Sequence, residues 1–341
     1  MKRLLLLSFV AVSFFACSKD DKKEEPPVDY TNPTVLSSAL KVQYGVSVKG
    51  AMPVGTGATG APVLNVANNN RVTVAVNGRY AVITPELSSG KFKGYYLKVT
   101  GAESYFKVDF SQARDGGRKA AHATHSLLRQ DGEDSVIVIK LPEDAKLDTF
   151  KIEYAVYDSS NVVSNVIKEL IAVLPPAGGA DGAGFVGNWQ TYRYKDAGEP
   201  EWTMAIGADT SWTPLKCING KLVYSQDGTP YATNISNVLS DEGTFNANGV
   251  LTWESKETYS YLDEIESGCA NLKYVVTNYD DKFRGGWSYN AARKELTLIY
   301  DEDGQVNGDN FEVIVYHILE FTPTRVLISS PDGYQTELAK K

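Results

Sequence analysis

The chain has 341 residues, with 34 Lys and Arg against 42 Asp and Glu, three His and three Cys. Its formal net charge of −8 opposes nucleic acid and anionic lipid surfaces as partners, and its length favours two domains. Twenty Tyr, twelve Phe and five Trp among many glycines suit all-β structure, whose pleated surface accommodates aromatic and β-branched side chains.

Lys2 and Arg3 precede an apolar run from Leu4 to Ala16 that ends on Cys17. This is the pattern of a lipoprotein signal peptide over residues 1–16, with Cys17 as the lipidated residue and the membrane as a partner through that anchor. The run is shorter than the roughly 20 apolar residues a transmembrane helix needs. Removing Lys2 and Arg3 leaves 32 basic against 42 acidic residues, a net of −10. Residues 17–33 read as a solvated tether, charged from Lys19 to Glu25 and stiffened by Pro26-Pro27. The stretch Ser18-Lys19-Asp20-Asp21-Lys22-Lys23-Glu24-Glu25 resembles the tether of surface-exported lipoproteins of Bacteroidota. That resemblance implies an outer-membrane lipoprotein exposed at the cell surface.

Residues 34–174 form the first domain. Short strands are expected over Leu40 to Val48, Arg71 to Val76, Gly94 to Val99, Tyr105 to Phe110 and Ser135 to Leu141. A hairpin follows: Phe150 to Tyr157, a turn at Asp158 to Asn161, then Val162 to Val173. Phe150, Ile152, Tyr154 and Val156 share one face by the two-residue period, and that face is core. Tyr154 to Asp158 and Val163-Ser164-Asn165 resemble the closing strands of bacterial immunoglobulin-like domains, which implies a β-sandwich. Between the strands, Ser111 to Asp134 carries Arg114, Arg118, Lys119, His122, His125 and Arg129. It reads as a solvated connection or as a loop for a surface protein partner. His122 and His125 lack the third ligand a metal requires. Asp134-Ser135-Val136 resembles the short O-glycosylation pattern of Bacteroidota.

Residues 175–184, rich in Pro, Gly and Ala, read as a linker with almost nothing to bury. Residues 185–341 then alternate strands and turns. Gly187-Asn188-Trp189 opens the segment, and Cys217 to Thr229, Asp241 to Phe245, Cys269, Gly286 to Tyr289, Lys294 to Leu298, Phe311 to Phe321 and Thr324 to Ile328 follow. This succession resembles the lipocalin-like domains of Bacteroidota lipoproteins and implies an antiparallel β-barrel. Gly187 and Trp189 are then structural, with Trp189 plugging the closed end, and Arg325 packs across Trp189, with Arg293 as its competitor for that place. Gly228, Gly249 and Gly304 follow Asp or Asn and are expected to supply positive φ in turns. With Cys17 lipidated, Cys217 and Cys269 remain to pair outside the reducing cytoplasm. Such a bridge restricts the unfolded chain by about 4 kcal/mol.

A barrel of about eight strands encloses a small ligand or fills itself with side chains. Trp202, Trp212, Trp253 and Trp287, with Tyr259, Tyr261 and Tyr274, supply surface for a lipid or sugar ring, or pack as core. Trp202 and Trp212, in an irregular stretch expected to cross the mouth, are the first candidates for contact. No nucleophile elbow, phosphate loop or His-Glu-x-x-His motif is present, and His317 in an apolar strand reads as structural. Asp301-Glu302-Asp303-Gly304 lacks the terminal bidentate Glu of a calcium loop. The expectation is a non-enzymatic surface lipoprotein without metal or cofactor that binds a small apolar or glycan ligand. The alternative is an adhesion or interaction scaffold with filled domains.

Overall fold

The computed structural model describes residues 28–110, 136–301 and 311–341. The signal peptide, Cys17, most of the tether, the segment 111–134 with His122 and His125, and Gly304 lie outside these described residues.

The N-terminal unit starts with a short helix, α1 (Pro33–Ala39), and continues as β1 (Lys41–Val42), β2 (Gly45–Lys49), β3 (Val63–Leu64), β4 (Val72–Val76), β5 (Tyr80–Ile83), β6 (Leu87–Ser89), β7 (Gly94–Val99), β8 (Ser104–Asp109), β9 (Ile137–Lys140), β10 (Thr149–Tyr157) and β11 (Ile167–Leu174). Asn32 caps α1 by accepting from the Thr34 and Val35 amides, and Pro33 fits its first turn. Nine strands form one sheet in the order β1-β9-β5-β4-β11-β10-β7-β8-β2, while β3 and β6 pair separately. β1 and β2 lie at opposite edges but only Gln43 and Tyr44 separate them, so the sheet curls until its edges nearly meet. The expected strand from Leu40 to Val48 is thereby broken at Tyr44, whose φ is +53°.

Phe150, Ile152, Tyr154 and Val156 of β10 are buried in the core within the curl. Ala155 and Tyr157 on the other face are buried too, so the last part of the strand is covered on both sides, while Thr149 and Lys151 on that face are exposed. The second arm of the hairpin starts five residues later than Val162. Ser164 explains the delay: its hydroxyl accepts from the Val156 amide at 3.0 Å and its own amide donates to the Val156 carbonyl at 2.9 Å. The side chain thus competes with strand pairing.

The C-terminal unit contains β12 (Gly187–Lys195), β13 (Thr203–Met204), β14 (Gly207–Ile218), β15 (Lys221–Tyr224), β16 (Thr229–Phe245), β17 (Val250–Leu262), β18 (Tyr274–Asn290), β19 (Glu295–Asp301), β20 (Phe311–Phe321), β21 (Arg325–Ser329) and β22 (Gln335–Lys340). β12 pairs antiparallel with both β22 and β16 and so closes an eight-stranded, up-and-down barrel of β12 and β16 to β22. The fold is therefore all-β, a curled sheet followed by a closed antiparallel barrel. β16, β17 and β18 outrun the barrel. The near end of β16 pairs with β12 from Glu242 to Phe245, whereas its far part pairs with β14 from Thr229 to Val238. The register shifts between Val238 and Ser240, so a bulge marks the point where strands leave the barrel wall. Beyond it stands a projecting sheet in the order β15-β14-β16-β17-β18.

Residues 175–184 correct the expectation of a linker with little to bury. They form two tight turns against β18, with Ala177 and Gly182 buried. Small residues allow this approach. A Cβ on Gly182 would lie 1.5 Å from the Ala177 carbonyl oxygen, and one on Gly178 2.0 Å from that of Tyr289. The two units also pack directly: Val76, Tyr80 and Val138 are buried with Ile299, and the Tyr80 and Phe311 rings lie 4.8 Å apart.

Gly182→Ala is expected to lower the unfolding free energy in urea by about 2–4 kcal/mol, because packed backbone must move. Gly198→Ala, at φ +82° with open space around it, is expected to cost only about 1 kcal/mol.

Candidate functional site

The barrel interior is divided by depth. At the end where the chain enters, Phe185 is fully buried and its ring stacks on Phe321 at 4.7 Å and contacts Tyr289 at 4.8 Å. Trp189, Phe245 and Trp287 surround it at 5.9–6.2 Å. The Trp189 indole donates to the Phe185 carbonyl at 2.6 Å and the Trp287 indole to that of Asn246 at 3.0 Å, so both polar handles are satisfied within the plug.

Toward the other end, strand alternation places a different set of side chains inside. On β12 a bulge between Thr191 and Arg193 turns Tyr194 inward and Arg193 outward. Tyr194 stacks on Tyr334 with centroids 5.7 Å apart and planes 17° apart. Asp241 accepts from the Trp253 indole at 2.7 Å, Glu257 from Ser236 at 2.5 Å, and Asn234 from the Tyr259 hydroxyl at 2.9 Å. Burial raises the Tyr194 phenol above its ordinary range, and the nearby carboxylates of Asp196, Asp209 and Glu257 add to the rise. Burial also raises Tyr334, with Tyr194, Asp196 and Asp241 among the contributing neighbours. Deeper down, Tyr300 and Tyr316 share a hydrogen bond, and burial pushes Tyr316 up to about 12. The mouth is thus a tyrosine, hydroxyl, amide and carboxylate surface above an aromatic floor.

The four candidate tryptophans separate. Trp287 is fully enclosed in the plug. Trp253 faces the interior, partly buried against the barrel core and stacked at 6.3 Å on Phe283. Trp202 is on the outer wall rather than across the mouth, with the Arg193 guanidinium 4.4 Å and the Lys195 ammonium 5.2 Å from its ring. Trp212 is not in an irregular stretch but on β14, where it is 63% exposed. Register places it on the outer face of the projecting sheet, the face shared by Ile235 and Val276.

The structural motif also needs correction. Trp189 is buried, but it is the Lys340 ammonium that lies over its ring, at 5.4 Å. Arg325 instead faces outward, 2.5 Å from Glu337 and with its guanidinium 4.7 Å from the Tyr192 ring; Arg193 holds the other Glu337 oxygen at 2.6 Å. Arg293 pairs with Glu295. Gly187 has φ +133° and Gly249 φ +76°. Gly228 does not have positive φ; its need is space, since a Cβ there would lie 2.6 Å from the Leu215 backbone. His317 is exposed on the barrel wall rather than buried in the strand. Cys217 and Cys269 form the disulfide. Among the described residues, no group of three or more His, Cys, Asp or Glu is placed to hold a metal ion.

Sequence reasoning missed Tyr194, Tyr334 and Phe185. Phe185 was detectable, because an aromatic just before Gly-x-Trp is apolar at the point where the first barrel strand must be closed over. It also missed a cavity of about 250 Å³ at the seam between the units, lined by Arg71, Thr73, Thr84, Phe311 and Glu312 among others. Burial alone raises the Glu312 carboxyl from its ordinary 4.5 to about 7.

No family model matches this chain, and no curated protein does. Among solved structures it is similar to the D00-D0 domain of Intimin at 15% identity and a TM-score of 0.18, over 63% of this chain and 98% of that one. So loose a likeness supports no functional argument.

Glu312 should make stability depend on pH. Between its unfolded value and about pH 7 the folded chain retains a proton that the unfolded chain has released, so stability falls as pH rises through that window and levels off above it. Glu312→Gln is expected to flatten this slope and to raise stability at pH 8 by about 1 kcal/mol, a figure discounted for solvent screening. Urea unfolding from pH 5 to 8 measures it.

Proposed function

We infer that this chain is a non-enzymatic lipoprotein, anchored through Cys17 at the outer membrane and displayed at the cell surface, whose barrel mouth binds a hydroxyl-rich ligand of the glycan class. The observation that carries the reading is the paired placement of Tyr194 and Tyr334 among Asp196, Asp241 and Glu257. Flat phenol rings suit the apolar faces of a sugar ring, while carboxylate, amide and hydroxyl groups suit its hydroxyls. An apolar ligand fits less well, because seating it would strip water from carboxylates without replacing their hydrogen bonds. The same charge disfavours anionic glycans. Asp241 and Glu257 already accept bonds from neighbouring strands, which supports a positioning role rather than proton transfer.

The interaction-scaffold alternative draws on a separate observation, the exposure of Trp212 on the outer face of the projecting sheet. The two readings predict opposite mutational patterns. With the mature chain carrying Cys17→Ser, neutral, acidic and amino oligosaccharides are screened by glycan array and thermal shift. A neutral or amino oligosaccharide is expected to bind, and Tyr194→Ala and Tyr334→Ala each to weaken it at least tenfold, with Trp212→Ala leaving it unchanged. Binding that survives both tyrosine changes and is lost in Trp212→Ala would transfer the function to the outer face. No binding by any oligosaccharide would remove the glycan reading.

A further inference from the structure

We propose that the Cys217–Cys269 disulfide is a clamp on the outer edge of the projecting sheet beside the mouth and that reduction by a dithiol releases it, a regulation that rests on the mouth being the recognition site. The outer edge of the projecting sheet, β15 and the end of β14, has little else to hold it. Its β14 and β15 pair with one another, and β14 otherwise pairs with the far part of β16. Beneath them is a small core of Leu215, Leu222 and Leu262, joined by Tyr231 and Tyr274 and distinct from the barrel core. β15 has only four residues and pairs with β14 alone at the edge of the sheet.

The bridge ties this hairpin to the connection between β17 and β18. Across the same gap the Cys269 amide reaches the Gly220 carbonyl at 3.4 Å, and Lys221 makes a single bridge with Gly268. The near parts of β16, β17 and β18 are held separately, by β12 and β19 in the closed wall. The molecule therefore has a barrel that closes without the clamp, a projecting sheet whose β16, β17 and β18 hold one another by strand pairing, and an outer edge, β15 with the end of β14, that the clamp secures. Asp209 of β14 belongs to the projecting sheet, as do Asn234, Ser236, Glu257 and Tyr259 beyond the bulge. Loosening that edge frees β14, and with it Asp209 opposite Ser236, on one side of the mouth and leaves Tyr194 and Tyr334 in place.

Cys217 is exposed and Cys269 half-buried, so a small reductant can reach the bridge. A thiolate of the dithiol attacks one sulfur, the S–S bond breaks, and a mixed disulfide forms as the other cysteine leaves as a thiolate. The second thiol of the reductant then closes on the mixed disulfide. Two electrons pass to the protein, both cysteines take up protons to become thiols, and the reductant departs as its cyclic disulfide. Without the cross-link, the unfolded form of a loop spanning 52 residues regains its conformational freedom, and the least supported segments open first.

The test is hydrogen exchange on the mature chain, oxidised and after dithiothreitol, with the Cys217→Ser/Cys269→Ser variant as a second route to the unclamped form. Reduction is expected to accelerate exchange at least tenfold over residues 207–224 and 263–273, and to leave β12 and β19 to β22 unchanged. Glycan affinity, measured on the same samples, is expected to fall by a similar factor. Unchanged exchange after reduction, or loss of protection throughout the barrel, would overturn the clamp. Because the exchange pattern is read without ligand, a correct pattern with no glycan binding in the oxidised form would support the clamp and defeat the glycan reading alone.

Discussion

The C-terminal unit depends on Phe185. Its ring sits where the chain enters the barrel, in contact with aromatic side chains from β12, β16, β18 and β20. A ring at that position links strands distant in sequence and is itself wholly buried. β12 must then start beside it, and the Trp189 indole donating to the Phe185 carbonyl sets that start. From there β12 reaches both β16 and β22, and closure follows. The tight turns of residues 175–184 serve the same end by packing against β18 and bringing Phe185 to its place.

The plug also explains why the interior has two characters. Its aromatic side chains cluster at the end where the chain enters, and the apolar core of the barrel is gathered around them. Farther along, inward positions are not required for the core and carry Tyr, Ser, Asn, Asp and Glu. Many of these polar groups bond to one another across strands, which holds their orientation without further apolar packing. The bulges on β12 and β16 fall at this transition and set which side chains turn inward.

Much of this architecture was legible in the chain. Alternation placed the inner face of β10, aromatic-rich short strands indicated the all-β class, and the count of cysteines pointed to the bridge. The errors have separate physical causes, and the first is that a period of two is reset by a single extra residue. The bulge after Thr191 reverses the facing of everything beyond it, so Arg193 meets Trp202 outside while Tyr194 enters the mouth. No propensity marks that residue. Residues 175–184 misled for another reason, since Gly and Ala are read as flexible when their smallness is what permits contact. Arg325 was drawn to Trp189 by resemblance, whereas Glu337, buried on the outer wall between two guanidinium groups, holds it elsewhere.

The seam between the two units has a mechanical consequence. The Arg79 side chain lies against Gly286 and the Tyr80 ring against Phe311, while the connector is wedged against β18. Neither unit can swing about the connector without breaking those contacts. A pull on the barrel is therefore resisted by the apolar contacts of the seam rather than taken up by a bending hinge.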